Sequence, residues 1–442
     1  MKRLLGEAGF FAYLDALNQP YARALRVNLL LRPDGTPPCP IEGLGAPVPW
    51  AKGAYFVEGD ARPGLSPLHE GGLFYMQEPS ALTAVTALDP QPGERVLDLC
   101  AAPGGKSTQI AALMAGRGLL CCNEPIPSRA QILSRNIERM GVRNAVVLSA
   151  MPDALAPRFP AFFDRILVDA PCSGEGMFRR QPEARDEWDA DAPRRCADRQ
   201  MEILAQAAKM LRPGGTMVYS TCTFNDPENE GVLRRFLALH PEFSLVPFAL
   251  PGLPEAKDGY LHLYPHEMRG EGHFVSRLKK ADGADEADAP VQAAPQRKAP
   301  ARAAAKSKAP APIALPDVFS DAFAPERLYT AGDALWMLPE GISIERLSGL
   351  RVLRTGLLLA HAEGKRSEPD HALAMALRPE EAARTASLTQ AQALAYQAGE
   401  TLSLGDLPGG YTLLCCEGVS LGWGKQAGGL MKNHYPKGLR RR

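Results

Sequence analysis

Between Gln77 and Lys280 the chain alternates short apolar runs with longer segments of helical spacing. Glu94 to Leu99 (ERVLDL) predicts a short strand running into a glycine turn, and Ser107 to Met114 has the spacing of a helix. Leu119 to Asn123 predicts a second strand, followed by a helix from Ser128, its expected cap, to Met140, stopped by Gly141. Ala145 to Leu148 predicts a third strand. Phe163 to Asp169 predicts a fourth, whose continuous apolar run is that of a strand buried on both faces. A helix over Asp198–Leu211, a fifth strand over Thr216–Ser220, a helix over Glu228–Leu239 and two short strands at His262–Tyr264 and His273–Leu278 complete the region. This alternation predicts a doubly wound, Rossmann-like α/β domain with ligands at the carboxyl ends of its strands.

The flanking regions read differently. Residues 1–75 hold an early helix and the segment Arg26-Val27-Asn28-Leu29-Leu30, and read as a small N-terminal extension. Residues 281–316, rich in Ala, Pro, Lys and Asp, read as a flexible linker between the 76–280 domain and a C-terminal region, 317–442. That last region mixes short apolar runs with glycine turns, such as Tyr411 to Cys416 and Gly422-Trp423-Gly424-Lys425, and predicts a small α+β or barrel-like module.

Composition narrows the setting. The 442 residues exceed one ordinary core, and no run approaches the ~20 apolar residues of a membrane helix. Glu7 and Asp15 interrupt any secretory core at the start, so a cytoplasmic protein without membrane contact is expected. The net charge is zero, but Arg297 to Lys308 carries five positive charges and no acid, and the chain ends KNHYPKGLRRR. Each segment fits a phosphate-binding patch as well as it fits a solubilising stretch. The eight histidines and nine cysteines show no metal spacing, and His262 and His266 read as structural.

The strand VLDL runs directly into Cys100-Ala101-Ala102-Pro103-Gly104-Gly105-Lys106-Ser107. Its glycines and alanines would let a ligand approach the backbone, and the next helix start offers free N–H groups. Glu124 ends the following strand, where a carboxylate can bind ribose hydroxyls. Cys100 stands where a Walker A loop requires glycine, and GxGxxG is absent, so an adenosine-bearing cofactor is favoured over a nucleoside triphosphate or a dinucleotide. A purely structural strand–turn–helix stays open as the alternative.

Two cysteines fall just past strand ends on that same edge. Cys172 follows Asp169-Ala170-Pro171, and Cys222 lies in Ser220-Thr221-Cys222-Thr223, whereas Cys121 and Cys122 lie mid-strand as core residues would. Thiols beside a methyl donor suggest attack on carbon 6 of cytosine, which turns carbon 5 into a nucleophile for the methyl group. A free thiol, with a pKa of about 8.5, is only a few per cent ionised at pH 7, so something must activate it.

Taken in order, CAAPGGKS, DAPCSGEG and STCTF resemble the signature of the Sun-type (NOL/NOP/Sun) RNA cytosine-5 methyltransferases. ALRVNLLLR resembles that family's N-terminal RNA-binding element. RVLRTGLLLA and KNHYPKGLRR resemble the C-terminal region of its bacterial members that modify ribosomal RNA. The resemblance implies that Cys222 is the nucleophile and that Cys172 promotes product release. It implies that Cys100, Ala101, Ala102, Pro103, Gly104, Gly105, Lys106, Glu124 and Asp169 bind S-adenosyl-L-methionine, with Asp169 and Pro171 also near the target base. It further implies a C-terminal PUA-like RNA-binding domain, an RNA partner (16S rRNA or the small ribosomal subunit), a monomer and no metal. The chain departs from the family where an acid often faces adenine: Met151 stands there, with Asp153 a weak substitute.

Two rivals follow. DNA cytosine methyltransferases would attack from Cys172, but their ENV motif is missing and Cys222 would be superfluous. The other is a non-catalytic ribosome-assembly factor on a methyltransferase scaffold, against which the intact cysteine pair and cofactor loop speak.

Overall fold

The computed structural model describes residues 1–180, 183–186, 188–283, 313, 318, 325–363 and 366–441. Almost all of the expected linker, including Arg297 to Lys308, lies outside the described residues, as does Arg442. No helix among the described residues is long and apolar enough to cross a membrane.

The central sheet holds β1 (Arg95–Asp98), β2 (Leu119–Asn123), β3 (Ala145–Leu148), β4 (Phe163–Asp169), β5 (Leu211–Thr221), β6 (Phe243–Leu245), β7 (Tyr260–Leu263), β8 (His273–Lys280) and β9 (Val352–Arg354). Their order is β6-β8-β5-β4-β1-β2-β3-β9, with β7 also paired to β8. The strands β1 to β5 are mutually parallel, while β8 and β9 run antiparallel to their neighbours. Chain order reverses between β1 and β4, which leaves a crevice at their carboxyl ends.

Both faces of the sheet are covered, which is why its strands read as unbroken apolar runs. Val96, Leu120, Cys122, Val147 and Leu167 point to one face, where Ile110 of α1 (Gly105–Leu113) and Leu133 and Ile137 of α2 (Pro127–Arg139) pack. Leu97, Cys121, Val146, Ile166 and Val168 point to the other, against Leu204 of α3 (Ala192–Met210) and Phe236 of α4 (Glu230–Leu239). Cys121 and Cys122 are thus core residues, and burial pushes both thiols well up.

Several boundaries differ from the pattern. Ser128 does not cap α2: Pro127 opens it, because the fixed φ and missing N–H of proline suit a first helical position. α3 starts at Ala192, six residues before Asp198, and carries a proline, Pro193, in its first turn. β5 begins at Leu211 and takes the Pro213-Gly214-Gly215 turn into the strand as a register shift.

Residues before the domain form more than a loose extension. After a helix (Lys2–Leu17), the strands Leu44–Pro47, Ala54–Val57, Ala24–Val27 and Phe74–Gln77 make an antiparallel sheet in that order. Arg26, wholly buried, reaches from this sheet to the start of α1, donating to Gly105 O (3.1 Å) and Thr108 Oγ1 (2.8 Å). The C-terminal region carries two four-stranded sheets, built from residues 328–369 and 385–433. It also supplies β9, whose short sequence gives no sign that it completes the edge of another domain's sheet. Arg441 of the basic end donates to Leu65 O (2.6 Å) and Ser66 O (2.9 Å), so that cation serves to dock the tail.

Candidate active site

The loop after β1 and the carboxyl end of β4 meet over the crevice. Lys106, at the start of α1, donates to Asp169 Oδ2 at 2.7 Å. Asp169 also accepts from Ser220 Oγ at 2.8 Å, and His273 Nε2 lies 3.4 Å from its Oδ1. Burial opposes the charged form of Asp169, but Lys106 and His273 hold its carboxyl well below the usual range. Burial likewise works against the Lys106 cation. The charge and hydrogen bond of Asp169, together with Cys222 and Asp98, outweigh it and raise the amine above its ordinary value.

The cofactor-loop glycines have a packing reason. Gly104 takes φ +114°, and a Cβ there would stand 3.2 Å from Leu133 Cδ1 and 3.3 Å from Asn136 Cβ; one on Gly105 would stand 3.1 Å from Tyr75. The small residues expected to admit a ligand thus first admit α2 and the N-terminal sheet. The amides of the first turn of α1 lie outside its own hydrogen-bond ladder. Asp98, at the end of β1, is buried, accepts from Ser107 Oγ at 2.6 Å, and leaves Oδ1 without a partner in the described structure. Burial pushes its carboxyl up to about 7, against the lowering by Ser107 and with the added charge of Asp169. Cys100 is intermediate in exposure, and burial of its thiol, with Asp98 next, raises its pKa strongly.

Glu124 directly follows β2, its side chain almost wholly buried, and accepts from Ile126 N at 3.0 Å. Arg129 Nη1 lies 3.3 Å from its Oε2, while Arg129 Nη2 donates to Ala102 O at 3.2 Å. One guanidinium therefore ties the expected ribose carboxylate to the expected cofactor loop. An orphaned acidic oxygen, a free helix start and a strand-end carboxylate around one crevice fit an adenosine-bearing cofactor with a cationic centre. Met151, by contrast, is 61% exposed, and Asp153 lies exposed on a short helix, Pro152–Leu155. Among the described residues no group of His, Cys, Asp or Glu is placed to hold a metal ion.

β4 and β5 are adjacent and parallel, so the turns that leave them run side by side. This brings Cys172 Sγ to 3.2 Å from Cys222 Sγ, and Cys222 N to 3.3 Å from Cys172 Sγ. Both cysteines are free thiols. The hydrogen bond with Cys222, burial, and the charges of Cys222 and Glu228 push the Cys172 thiol well above its ordinary value.

The side chains that hold these turns escaped the sequence reading. Glu175 accepts from Thr223 Oγ1 (2.7 Å) and Phe224 N (2.9 Å), and Gly176 N donates to Cys222 O (2.8 Å). Glu228 accepts from Ser173 N (2.9 Å), and His273 sits beside Asp169. No spacing marks Glu228 in NDPENE as buried, and His273 reads simply as the start of a strand. His262 stacks on Tyr264 and lies 2.7 Å from Glu230 Oε1.

Four family models match consecutive stretches of the chain. They are the N-terminal domain of 16S rRNA methyltransferase RsmF (residues 1–79), 16S rRNA methyltransferase RsmB/F (85–279), the RsmF rRNA methyltransferase first C-terminal domain (316–377) and the methyltransferase RsmF PUA domain (383–441). The chain is 33% identical to ribosomal RNA small subunit methyltransferase F of Erwinia tasmaniensis, with 99% of this chain and 95% of that protein covered. It is 34% identical to the protein of that name from Shigella boydii, with 97% and 92% covered. Among solved structures, a methyltransferase homologue protein from Pyrococcus horikoshii is 29% identical at a TM-score of 0.52, covering 63% of this chain and 97% of that one. NSun6 from the same organism, solved with SFG, is 22% identical at a TM-score of 0.54, covering 64% and 97%, and shows the shared fold.

Proposed function

From the premise that the chain belongs to the RsmF branch of the 16S rRNA methyltransferase RsmB/F family, and so methylates ribosomal RNA, we propose that it methylates carbon 5 of a cytosine in 16S rRNA from S-adenosylmethionine, through a covalent bond between Cys222 and the base. The observation that carries this reading is the pair of sulfurs 3.2 Å apart at the ends of β4 and β5, beside the Lys106–Asp169 contact.

The roles follow from charge and placement. The thiolate of Cys222 adds to carbon 6 of the cytosine, and the ring then carries nucleophilic character at carbon 5. Lys106 lies close enough to Cys222 for the charges of the two groups to interact. S-adenosylmethionine, when bound, supplies the electrophilic methyl group. The loop Cys100 to Lys106, Glu124 and Asp169 would hold it, with Asp98 offering its unpartnered oxygen from below. Once carbon 5 is methylated, its proton leaves to a base and the carbon 6–sulfur bond breaks, returning the electron pair to Cys222. Cys172, kept as a thiol, faces the departing sulfur and stabilises it by an S–H hydrogen bond. The N-terminal region and the PUA-like C-terminal domain would dock the RNA, with the chain acting as a monomer. In this reading the RNA-docking extension ends at residue 75, the catalytic domain at 280 and the linker at 316.

The test uses labelled cofactor and 16S rRNA. Cys222→Ala abolishes methyl transfer, and Cys172→Ala accumulates a protein–RNA adduct that survives a denaturing gel. Adduct with Cys222→Ala and normal product from Cys172→Ala would reverse the two roles. Unchanged cytosine methylation in a deletion strain, read by bisulfite sequencing, would remove the enzyme reading altogether.

A further inference from the structure

Glu228 lies in the polar segment between β5 and α4 and has no surface exposed to solvent. A carboxylate in that position is costly unless its oxygens are satisfied. Here Ser173 N (2.9 Å), Ser173 Oγ, Gln200 Nε2 (3.0 Å) and Asn225 Nδ2 (2.7 Å) all donate to it. Each of these donors is neutral, so the negative charge is solvated by hydrogen bonds and is not cancelled by a cation.

These contacts surround one residue. Ser173 follows Cys172, and the same Gln200 Nε2 donates to the carbonyl of Pro171, which precedes it, at 3.0 Å. Gln200 is itself oriented by Tyr219 OH, which donates to its Oε1 (2.9 Å) and to Glu228 O (2.5 Å). Asn225, three residues beyond Cys222, donates to Thr223 Oγ1 (2.9 Å) as well as to Glu228. One buried carboxylate therefore joins the Cys172 turn to the segment that follows Cys222.

Resting on the covalent reading above, we propose that Glu228 is a positioning residue for adduct release, holding the turn on both sides of Cys172 so that its sulfur faces that of Cys222. The charge has a second effect. Cys172 is faced by Cys222 at the end of β5, by Tyr219 of β5 and by Glu228 itself. The charge of Glu228 adds to the hydrogen bond with Cys222, to burial and to the charge of Cys222 in raising the Cys172 thiol, and so favours the protonated form of the release partner.

The experiment compares the full-length Glu228→Gln variant with wild type on 16S rRNA. The amide keeps the shape but loses the charge and sets N–H groups against the Ser173 and Asn225 donors. Turnover is expected to fall about a hundredfold, the scale of a misplacement near 1 Å. Adduct should accumulate on denaturing gels, and the pH profile of its decay should move to lower pH. In a Cys172→Ala background, adding Glu228→Gln should leave adduct formation unchanged, because the residue acts through Cys172. Wild-type decay and pH profile in Glu228→Gln, or slowed adduct formation in the double variant, would overturn the proposal. No adduct in any background, Cys172→Ala included, would instead overturn the covalent reading beneath it. Should Glu228→Gln not fold, Asn225→Ala removes one donor and keeps the carboxylate. It should slow adduct decay in the same direction, and an unchanged decay overturns the proposal equally.

Discussion

Lys106 and Asp169 meet at 2.7 Å across the gap where the strand order of the central sheet reverses. One comes from the turn after β1 and the other from the end of β4, so the ion pair closes the floor of the crevice that the topology opens. The Lys106 side chain is 13% exposed and that of Asp169 is 26% exposed, so water screens the pair only in part. Each charge depends on the other to remain buried, and Lys106 in addition interacts with the charge of the proposed nucleophile, Cys222.

Asp169→Asn should therefore destabilise the fold by about 3 kcal/mol, the low end for breaking a buried pair, because it strands the lysine. The pH dependence has a definite sign. The folded pKa of Asp169 is depressed, so its contribution is present above the unfolded carboxyl pKa, about 4, and is lost as pH falls towards the folded value. Denaturant titrations from pH 6 down to pH 2 should show a shallower acid loss in the variant than in wild type. Parallel curves would mean that the pair contributes nothing to acid stability.

Asp98 should act in the opposite direction. Its folded pKa is pushed up to about 7, so the folded protein holds a proton there that the unfolded chain has released. Stability from this group is full below about pH 4 and declines as pH rises to 7, by up to about 4 kcal/mol. Asp98→Asn should remove that decline, so that the stability difference between variant and wild type grows in favour of the variant between pH 4 and 7. A constant difference across that range would show that Asp98 is ionised throughout.

The sheet was legible because it is buried on both faces, which leaves apolar runs such as VLDL, LLCCN and RILVD that polarity cannot hide. The two cysteines were legible because each follows such a run directly. What the sequence hides are relationships between segments far apart along the chain. β9 is a three-residue strand whose partner, β3, lies some 200 residues earlier. Arg26 reads as one more cation until the sheet that carries it lies against α1. Glu228 and His273 look like ordinary surface polar residues, and only the pairing of β4, β5 and β8 turns them inward. Ser128 and the cofactor-loop glycines were read by local rules alone, and proline geometry and tertiary packing decided them.

Arg26 supplies a separate test of how the N-terminal sheet supports the cofactor loop. Its guanidinium is wholly buried and spans to Gly105 O and Thr108 Oγ1. Arg26→Ala should cost about 3–5 kcal/mol, since it removes the buried donor to Thr108 Oγ1, takes one of two donors from Gly105 O and opens a cavity. Arg26→Lys should recover little of it, because an ammonium cannot reproduce the planar fork. Urea unfolding of the two variants measures both, and full rescue by lysine would show that charge alone matters here.

Two glycines of one turn separate backbone strain from active-site geometry. Gly174 takes φ +74° with nothing within 4 Å of a would-be Cβ, so Gly174→Ala strains the backbone by about 1–2 kcal/mol and intrudes on no neighbour. Gly176 has ordinary φ, but a Cβ there would stand 2.9 Å from Cys222 O and 3.2 Å from Gly272 O, both rigid backbone atoms. Gly176→Ala must therefore push the Cys172 turn away from the Cys222 strand end and lengthen the 3.2 Å approach of the sulfurs. Its stability loss should be of the same order, about 1–3 kcal/mol, as for other overpacked sites. Its methyl-transfer rate, however, should drop about a hundredfold, against a few-fold at most for Gly174→Ala. Thermal unfolding and single-turnover rates on 16S rRNA, measured for both variants, separate the two effects. Equal activity in the two would show that the distance between the turns does not control the chemistry.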